Sequence, residues 1–479
     1  MSEFAVREIE VPVRALSRLE PLVGAQRYKE LCSAASTAKD VLRGKTLWNV
    51  SSTAAGGGVA EMLQVLVGYT LDAEVDIRWL VIGGDADFFS ITKRVHNRLH
   101  GAEGDDGALG AAEARHYETV TAANLAGVLR RVKRGDVVLL HDPQTAGLAA
   151  PLAQAGAVVV WRCHVGRETS NSHTDEAWEF LRPYLGICSA YVFSLREYVP
   201  AWIDDDKVWV IPPSIDPFSP KNQDLGDDEV IAIMSRIGIV SADGGPGNRT
   251  EFTRRDGSAG HVAGSASILT SEGPMLGPMD RLVLQVSRWD RLKDMEGVME
   301  GFASGVVGRV DAHLALVGPS TADVSDDPEG AQVVADCISA WGALPAQARR
   351  RIHLITLPMD DIDENAVMVN AIQRHATVIV QKSLAEGFGL TVAEGMWKAR
   401  AVVASGVGGI TAQIAPGTGL LLEDPTDLEA FGETLAALLE SPAQITDLGE
   451  QARRHVLERF VGDRHLMSYA RLIEWLASR

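Results

Sequence analysis

Residues 386–394 read Glu386-Gly-Phe-Gly-Leu-Thr-Val-Ala-Glu394. Two carboxylates stand eight positions apart, with a Gly-Phe-Gly turn after the first and a helix-forming run into the second. Gly387 and Gly389 permit close approach of the backbone to a ligand on either side of Phe388. A helix starting near Leu390 aims its unsatisfied N–H groups and positive dipole end at the same point. Such a terminus binds an anion, most often phosphate. Glu386 falls in the loop and Glu394 about one turn into the helix, so the two can hold different parts of one ligand. Carboxylates accept hydrogen bonds from hydroxyls and do not suit phosphate oxygens. A ligand carrying both sugar and phosphate, such as a sugar nucleotide, answers both requirements.

Upstream, Gln285-Val-Ser-Arg-Trp-Asp-Arg-Leu-Lys293 ends a strand-like run and enters a loop. Open α/β sheets bind ligands outside the carboxyl ends of their strands, which is where Arg288 and Lys293 fall. Fixed cations there stabilise a leaving diphosphate as its charge grows. Asp290, Arg291 and Asp294 read as solvated surface charge beside them. With this basic pair no divalent metal is required, and no Asp-x-Asp tract asks for one. No metal or other cofactor is expected.

The chain has 479 residues, enough for two domains. Its net charge of −19 argues against nucleic acid or an anionic membrane as a partner. Cys32, Cys163, Cys188 and Cys337 show neither disulfide-framework nor zinc spacing. No signal peptide and no membrane-spanning apolar run is recognisable, so the expected location is the cytoplasm.

Short β-rich runs alternate with helical patterns, the mark of parallel α/β sheets. The spacing predicts strands at 46–51, 76–82, 136–141, 157–163, 190–194 and 208–211, then at 282–287, 313–317, 352–356, 377–381 and 401–404. Two doubly wound Rossmann-like domains facing across a cleft follow. They span 1–215 and 216–459, with a seam in the proline-rich 212–217, where extended backbone is favoured. The stretches 101–114 and 241–278 read as loops, the second as a flexible surface insertion.

The Glu-x7-Glu segment, with Arg288 and Lys293, resembles the signature of retaining glycosyltransferases of the GT-B type. Ser51-Ser-Thr-Ala-Ala-Gly-Gly-Gly-Val-Ala-Glu61, His141-Asp-Pro-Gln144 and Trp161-Arg-Cys-His164 resemble the N-terminal signatures of the trehalose glycosyltransferring synthases. The resemblance covers the chain from about residue 40 onward, apart from 241–278. It implies transfer of α-glucose from an ADP- or UDP-glucose type donor to free glucose, with retention. The expected partners are thus the nucleotide-sugar donor and the glucose acceptor; a homodimer is compatible with the sequence, which leaves the oligomeric state open. It also implies that the last helix, 460–479, packs back on the first domain.

By the same resemblance Glu394 holds the donor ribose and Glu386 the hydroxyls of the transferred sugar. Gly57 and Gly58 join the donor site, while Gly56, Asp142 and Gln144 meet the acceptor. His164 lies against the 6-hydroxyl of the donor sugar. Simpler readings stand beside these: three glycines also permit tight strand-to-helix packing, and an Asp before Pro143 also caps a turn. A trehalose phosphorylase of the same fold, a retaining transferase with another acceptor, and an inactive sugar-nucleotide sensor are the competing functions.

Overall fold

The computed structural model describes residues 4–54, 58–241, 250–270, 272–273, 276–320 and 328–479. The chain forms two compact units, Met1–Ser214 with Phe460–Arg479, and Ile215–Arg459.

The first unit is built on a seven-stranded sheet. Its strands are β1 (Arg7–Ile9), β2 (Leu47–Ser51), β3 (Ile77–Val81), β4 (Val137–His141), β5 (Val158–Cys163), β6 (Ala190–Phe193) and β7 (Val208–Val210). They lie in the order β1-β3-β2-β4-β5-β6-β7. Only β1 runs antiparallel, against β3. Val137–His141 is buried at every position because helices cover both faces of the sheet. The order reverses between β2 and β4, and this crevice is the unit's topological switch point.

One face of the sheet packs against the helices Ala25–Val41, Gly58–Asp72 and Gly462–Ala477. From the last of these, Tyr469, Leu472 and Ile473 enter a core shared with Trp79 and Leu139. Its first turn is fixed electrostatically. Asp463 is fully buried and receives both the Nε and Nη2 donors of Arg27 on Ala25–Val41, the second at 2.6 Å.

In the second unit β8 (Glu251–Thr253) and β9 (Ala259–His261) form a separate hairpin. The main sheet holds β10 (Ser267–Ile268), β11 (Leu282–Val286), β12 (His313–Pro319), β13 (Ile352–Leu357), β14 (Val378–Gln381), β15 (Ala401–Ser405) and β16 (Leu420–Leu422). Their order is β10-β13-β12-β11-β14-β15-β16, with β10 antiparallel to β13 and the rest parallel. The switch point here falls between β11 and β14.

Two expectations need correction. The described part of 241–278 is not a structureless insertion. Arg254 donates to Asp361 at 2.9 Å, Arg255 pairs with Asp363, and Glu364 accepts from the Ala263 N–H at 2.7 Å. These carboxylates cap and line the first turn of the helix Ile362–His375, so one set of charges anchors both helix and hairpin. Ile268 then lies opposite Ile355 at the sheet edge. Strands this short carry no readable periodicity; their anchors are supplied from a hundred residues away. The stretch 101–114 is likewise only partly loop, since the helix Ala111–Leu129 opens within it.

The buried pair at Asp463 sets a stability test. Arg27→Ala leaves a carboxylate in the core without its cation, a loss of about 3 kcal/mol. Urea unfolding followed by tryptophan fluorescence checks this, and Asp463→Asn in the Arg27→Ala background recovers part of the loss.

Candidate active site

In the second unit the site grows from the two loops flanking the switch point. After β11 the chain makes a short turn, Arg291–Lys293, capped by Asp290, whose carboxylate accepts from the Leu292 N–H at 2.8 Å. After β14 comes the 382–389 loop and then the helix Leu390–Trp397. The loops are joined through the backbone, Leu384 N–H donating to the Leu292 carbonyl at 2.8 Å. They are joined again by side chains: Lys293 Nζ lies 2.6 Å from Glu386 Oε2, and Ser383 Oγ donates to the same oxygen at 3.2 Å. Lys293 and Glu386 keep only 14% and 12% of their side-chain surface exposed, so this pair is weakly screened. Arg288 is half exposed, with Asp290 at 3.6 Å.

Gly389 has φ of 78°, and a Cβ there would stand 3.0 Å from Glu386 Cγ. The left-handed turn and the close carboxylate both require glycine. Phe388 is buried, and its carbonyl accepts from Gln413. The Gly387 carbonyl accepts from the Gly409 N–H at 3.1 Å. Leu390 is the first residue of the helix, whose N-terminal end lies beside Glu386. Glu394 is 4% exposed, and its Oε2 has no hydrogen-bond partner among the described residues, while Lys221 stands 3.5 Å from Oε1. A buried carboxylate oxygen without a donor is costly unless a ligand supplies one. Among the described residues, Lys293, Glu386, Gly387, Phe388, Gly389, Leu390 and Glu394 thus surround one helix terminus.

In the first unit, Asp142 and His164 follow β4 and β5. Asp142 adopts a φ of 62° directly before Pro143. A non-glycine residue in the left-handed region, preceding proline, is a strained conformation that its surroundings must hold. Here the Trp161 indole donates to its carbonyl at 3.2 Å, and its Oδ1 accepts from the His164 N–H at 2.8 Å. Burial pushes the Asp142 carboxyl up to about 7, against the smaller opposing influences of that bond and of Arg162.

The imidazole of His164 makes its contacts within the first unit. Its Nε2 lies 3.2 Å from His141 Nδ1, while Arg162 Nε donates to its Nδ1 at 3.4 Å. Asn49 Oδ1, at 3.0 Å from His141 Nε2, sets the direction of this chain. Both ring nitrogens of His164 are thus engaged by neighbouring side chains, while its backbone N–H holds Asp142. Burial and the Arg162 charge keep His164 well below the ordinary histidine range and hold His141 down to about 3.

Gln144 sits half-buried on the turn Asp142–Thr145. Gly58 opens the helix Gly58–Asp72 at the far lip of the same crevice, while Gly56 and Gly57 lie outside the described residues.

Several contributors were not visible as such in the sequence. Gln285 donates to the Lys293 carbonyl at 2.7 Å and accepts from the Lys382 N–H at 3.0 Å. Asp294, read as surface charge, caps the helix Met295–Gly305 and pairs with buried Lys382. Asn222 Oδ1 receives the Lys398 ammonium at 2.9 Å, just beyond the Glu394 helix. A polar residue closing an apolar strand, as Gln285 nearly does, was the one available signal.

Comparison with known proteins gives the family. Residues 49–200 match the trehalose synthase N-terminal domain, and residues 363–455 match glycosyl transferases group 1. A trehalose synthase of Rubrobacter xylanophilus is 33% identical over 462 residues, covering 96% of each chain. One from Pyrococcus horikoshii is 30% identical and covers 99% of each. Among solved structures, a UDP-forming α,α-trehalose-phosphate synthase from Burkholderia vietnamiensis superposes with a TM-score of 0.63 at 14% identity. The match covers 91% of this chain and 97% of that one. The chain belongs to the trehalose synthase family of GT-B glycosyltransferases.

Proposed function

We propose that the protein transfers α-glucose from an ADP- or UDP-glucose type donor to free glucose, with retention, forming trehalose. The carrying observation is the pairing of Lys293 with Glu386 at a helix terminus that also holds Glu394, whose buried Oε2 has no donor among the described residues. A nucleotide sugar fits this set. Its diphosphate takes the helix N-terminus with Lys293 and Arg288, its ribose donates to Glu394, and its hexose hydroxyls donate to Glu386. Phosphate alone would leave the Glu394 oxygen unanswered. Asp142, with Gln144 on the same turn, is the proposed acceptor of a hydroxyl from free glucose.

The step breaks the bond between the glucose anomeric carbon and the diphosphate oxygen. The incoming hydroxyl attacks on the same face, and its proton passes to the departing diphosphate oxygen. Charge thus accumulates on the diphosphate as the bond opens, and Arg288 and Lys293 stabilise that state most. Fixed cations fill the part a divalent metal would otherwise play, so we propose that none is needed.

The test incubates the protein with free glucose and a panel of nucleotide-glucose donors and identifies the product by NMR. The expected product is the symmetric α,α-1,1 disaccharide, with a single α-anomeric signal and no reducing end. A β linkage overturns the mechanism. An α-1,4 or phosphorylated product overturns the acceptor alone, and turnover only with glucose 1-phosphate makes the protein a phosphorylase.

Arg288→Ala and Lys293→Ala are each expected to cost roughly 2–4 kcal/mol of transition-state stabilisation, seen mainly in kcat. Steady-state kinetics decides, and unchanged kcat removes the residue from the site.

Asp142 gives a pH prediction. Its carboxyl is raised above its unfolded value, so ionising it within the fold costs stability. The cost is absent well below pH 4, grows with pH, and is complete above about 7. Asp142→Asn therefore raises Tm more at pH 8 than at pH 5. It also abolishes a fall in glucose KM as the pH of the wild-type assay rises through about 7. Parallel thermal melts and KM profiles check both.

A further inference from the structure

We propose that Lys382 and Asp294 form a buried positioning pair that places the Lys293 ammonium on the donor diphosphate. Lys382 follows β14 directly, and its side chain is completely buried. Its ammonium is bonded to Asp294 Oδ2, while Asp294 Oδ1 accepts from the Gly297 N–H at 3.2 Å. Asp294 holds a φ of 47°, a left-handed conformation that a non-glycine residue keeps only when its surroundings fix it. The residue before it is Lys293. Gln285 grips the Lys293 carbonyl at 2.7 Å, and the same carboxamide accepts from the Lys382 N–H at 3.0 Å. Lys293 is therefore bracketed: its own carbonyl is held from β11, and the residue after it is held by a cation from β14.

A stable core does not call for this arrangement. A buried ion pair seldom adds stability over well-packed apolar side chains of similar size, because both charges lose hydration. Placing one here fixes backbone position to a fraction of an ångström beside a group whose value depends on distance. Lys382 and Asp294 act through Lys293 and need not touch the ligand.

This inference rests on the donor reading above, and the experiment separates the two. Isothermal titration calorimetry measures ADP and UDP binding to the wild type, Lys293→Ala, Lys382→Met and the combined Lys293→Ala/Lys382→Met variant. Asp294→Asn/Lys382→Met, which leaves no lone buried charge, stands in where Lys382→Met folds poorly, as judged by circular dichroism. The expected result is a Kd for the better nucleotide raised about tenfold by Lys382→Met, as for other groups that orient a ligand-binding residue. In the Lys293→Ala background the same change adds less than about twofold, the non-additivity of residues acting through one group. An equal effect in both backgrounds overturns the proposal, as does an unchanged Kd in a folded variant. Failure of both Lys382 variants to fold also overturns it, because the pair then serves the fold. A wild type that binds neither nucleotide overturns the donor reading, and the inference with it.

Discussion

The contact on which the second unit's chemistry depends is the ion pair between Lys293 and Glu386. It joins the loops leaving β11 and β14, the two strands between which the sheet reverses its order. At a switch point the neighbouring connections diverge to opposite faces, opening a crevice that a ligand can enter. On the proposed reading the pair sets what that crevice recognises. The cation that reading assigns to phosphate and the anion it assigns to hydroxyls are held 2.6 Å apart, so the ligand it requires offers both groups in close succession. Gly389 is part of the same constraint, because a side chain there would push Glu386 out of place.

The first unit follows the same topological rule with different chemistry. Its switch point lies between β2 and β4, and the described residues there include Ser51, at the end of β2, and Asp142. Asp142 is strained in its backbone and uncomfortable as an anion, and a buried polar network holds it. That network runs from Asn49 through His141 and His164 to Arg162. Neutral imidazoles suit it, because they donate and accept without adding charge near a buried guanidinium. The cost in strain and desolvation makes sense where a fixed hydrogen-bond acceptor must await a hydroxyl.

The architecture was legible because parallel strands buried on both faces are runs of apolar residues that single-sequence patterning detects. Each of the eleven strands expected has a counterpart, with ends shifted by a residue or two. What escaped were β1, β8, β9, β10 and β16, each of two or three residues and held by long-range partners. The places of Glu386 in a loop and Glu394 on a helix were readable because glycine-rich turns and helix starts are local signals. Lys382 and Asp294 were not, since a buried lysine is recognisable only once its partner, 88 positions earlier, is known. For His164 the place at a strand end was readable, while the orientation of its ring depends on His141 and Arg162 from neighbouring strand ends.

The central claim is that the crevice between β11 and β14 is a nucleotide-sugar site. The direct measurement is a crystal structure with a non-hydrolysable nucleotide-glucose analogue bound. The account predicts the diphosphate at the N-terminus of Leu390–Trp397 within hydrogen-bond distance of Lys293 and Arg288, and a ribose hydroxyl on Glu394 Oε2. A ligand bound elsewhere in the second unit, or one whose diphosphate lies away from Lys293, would contradict it.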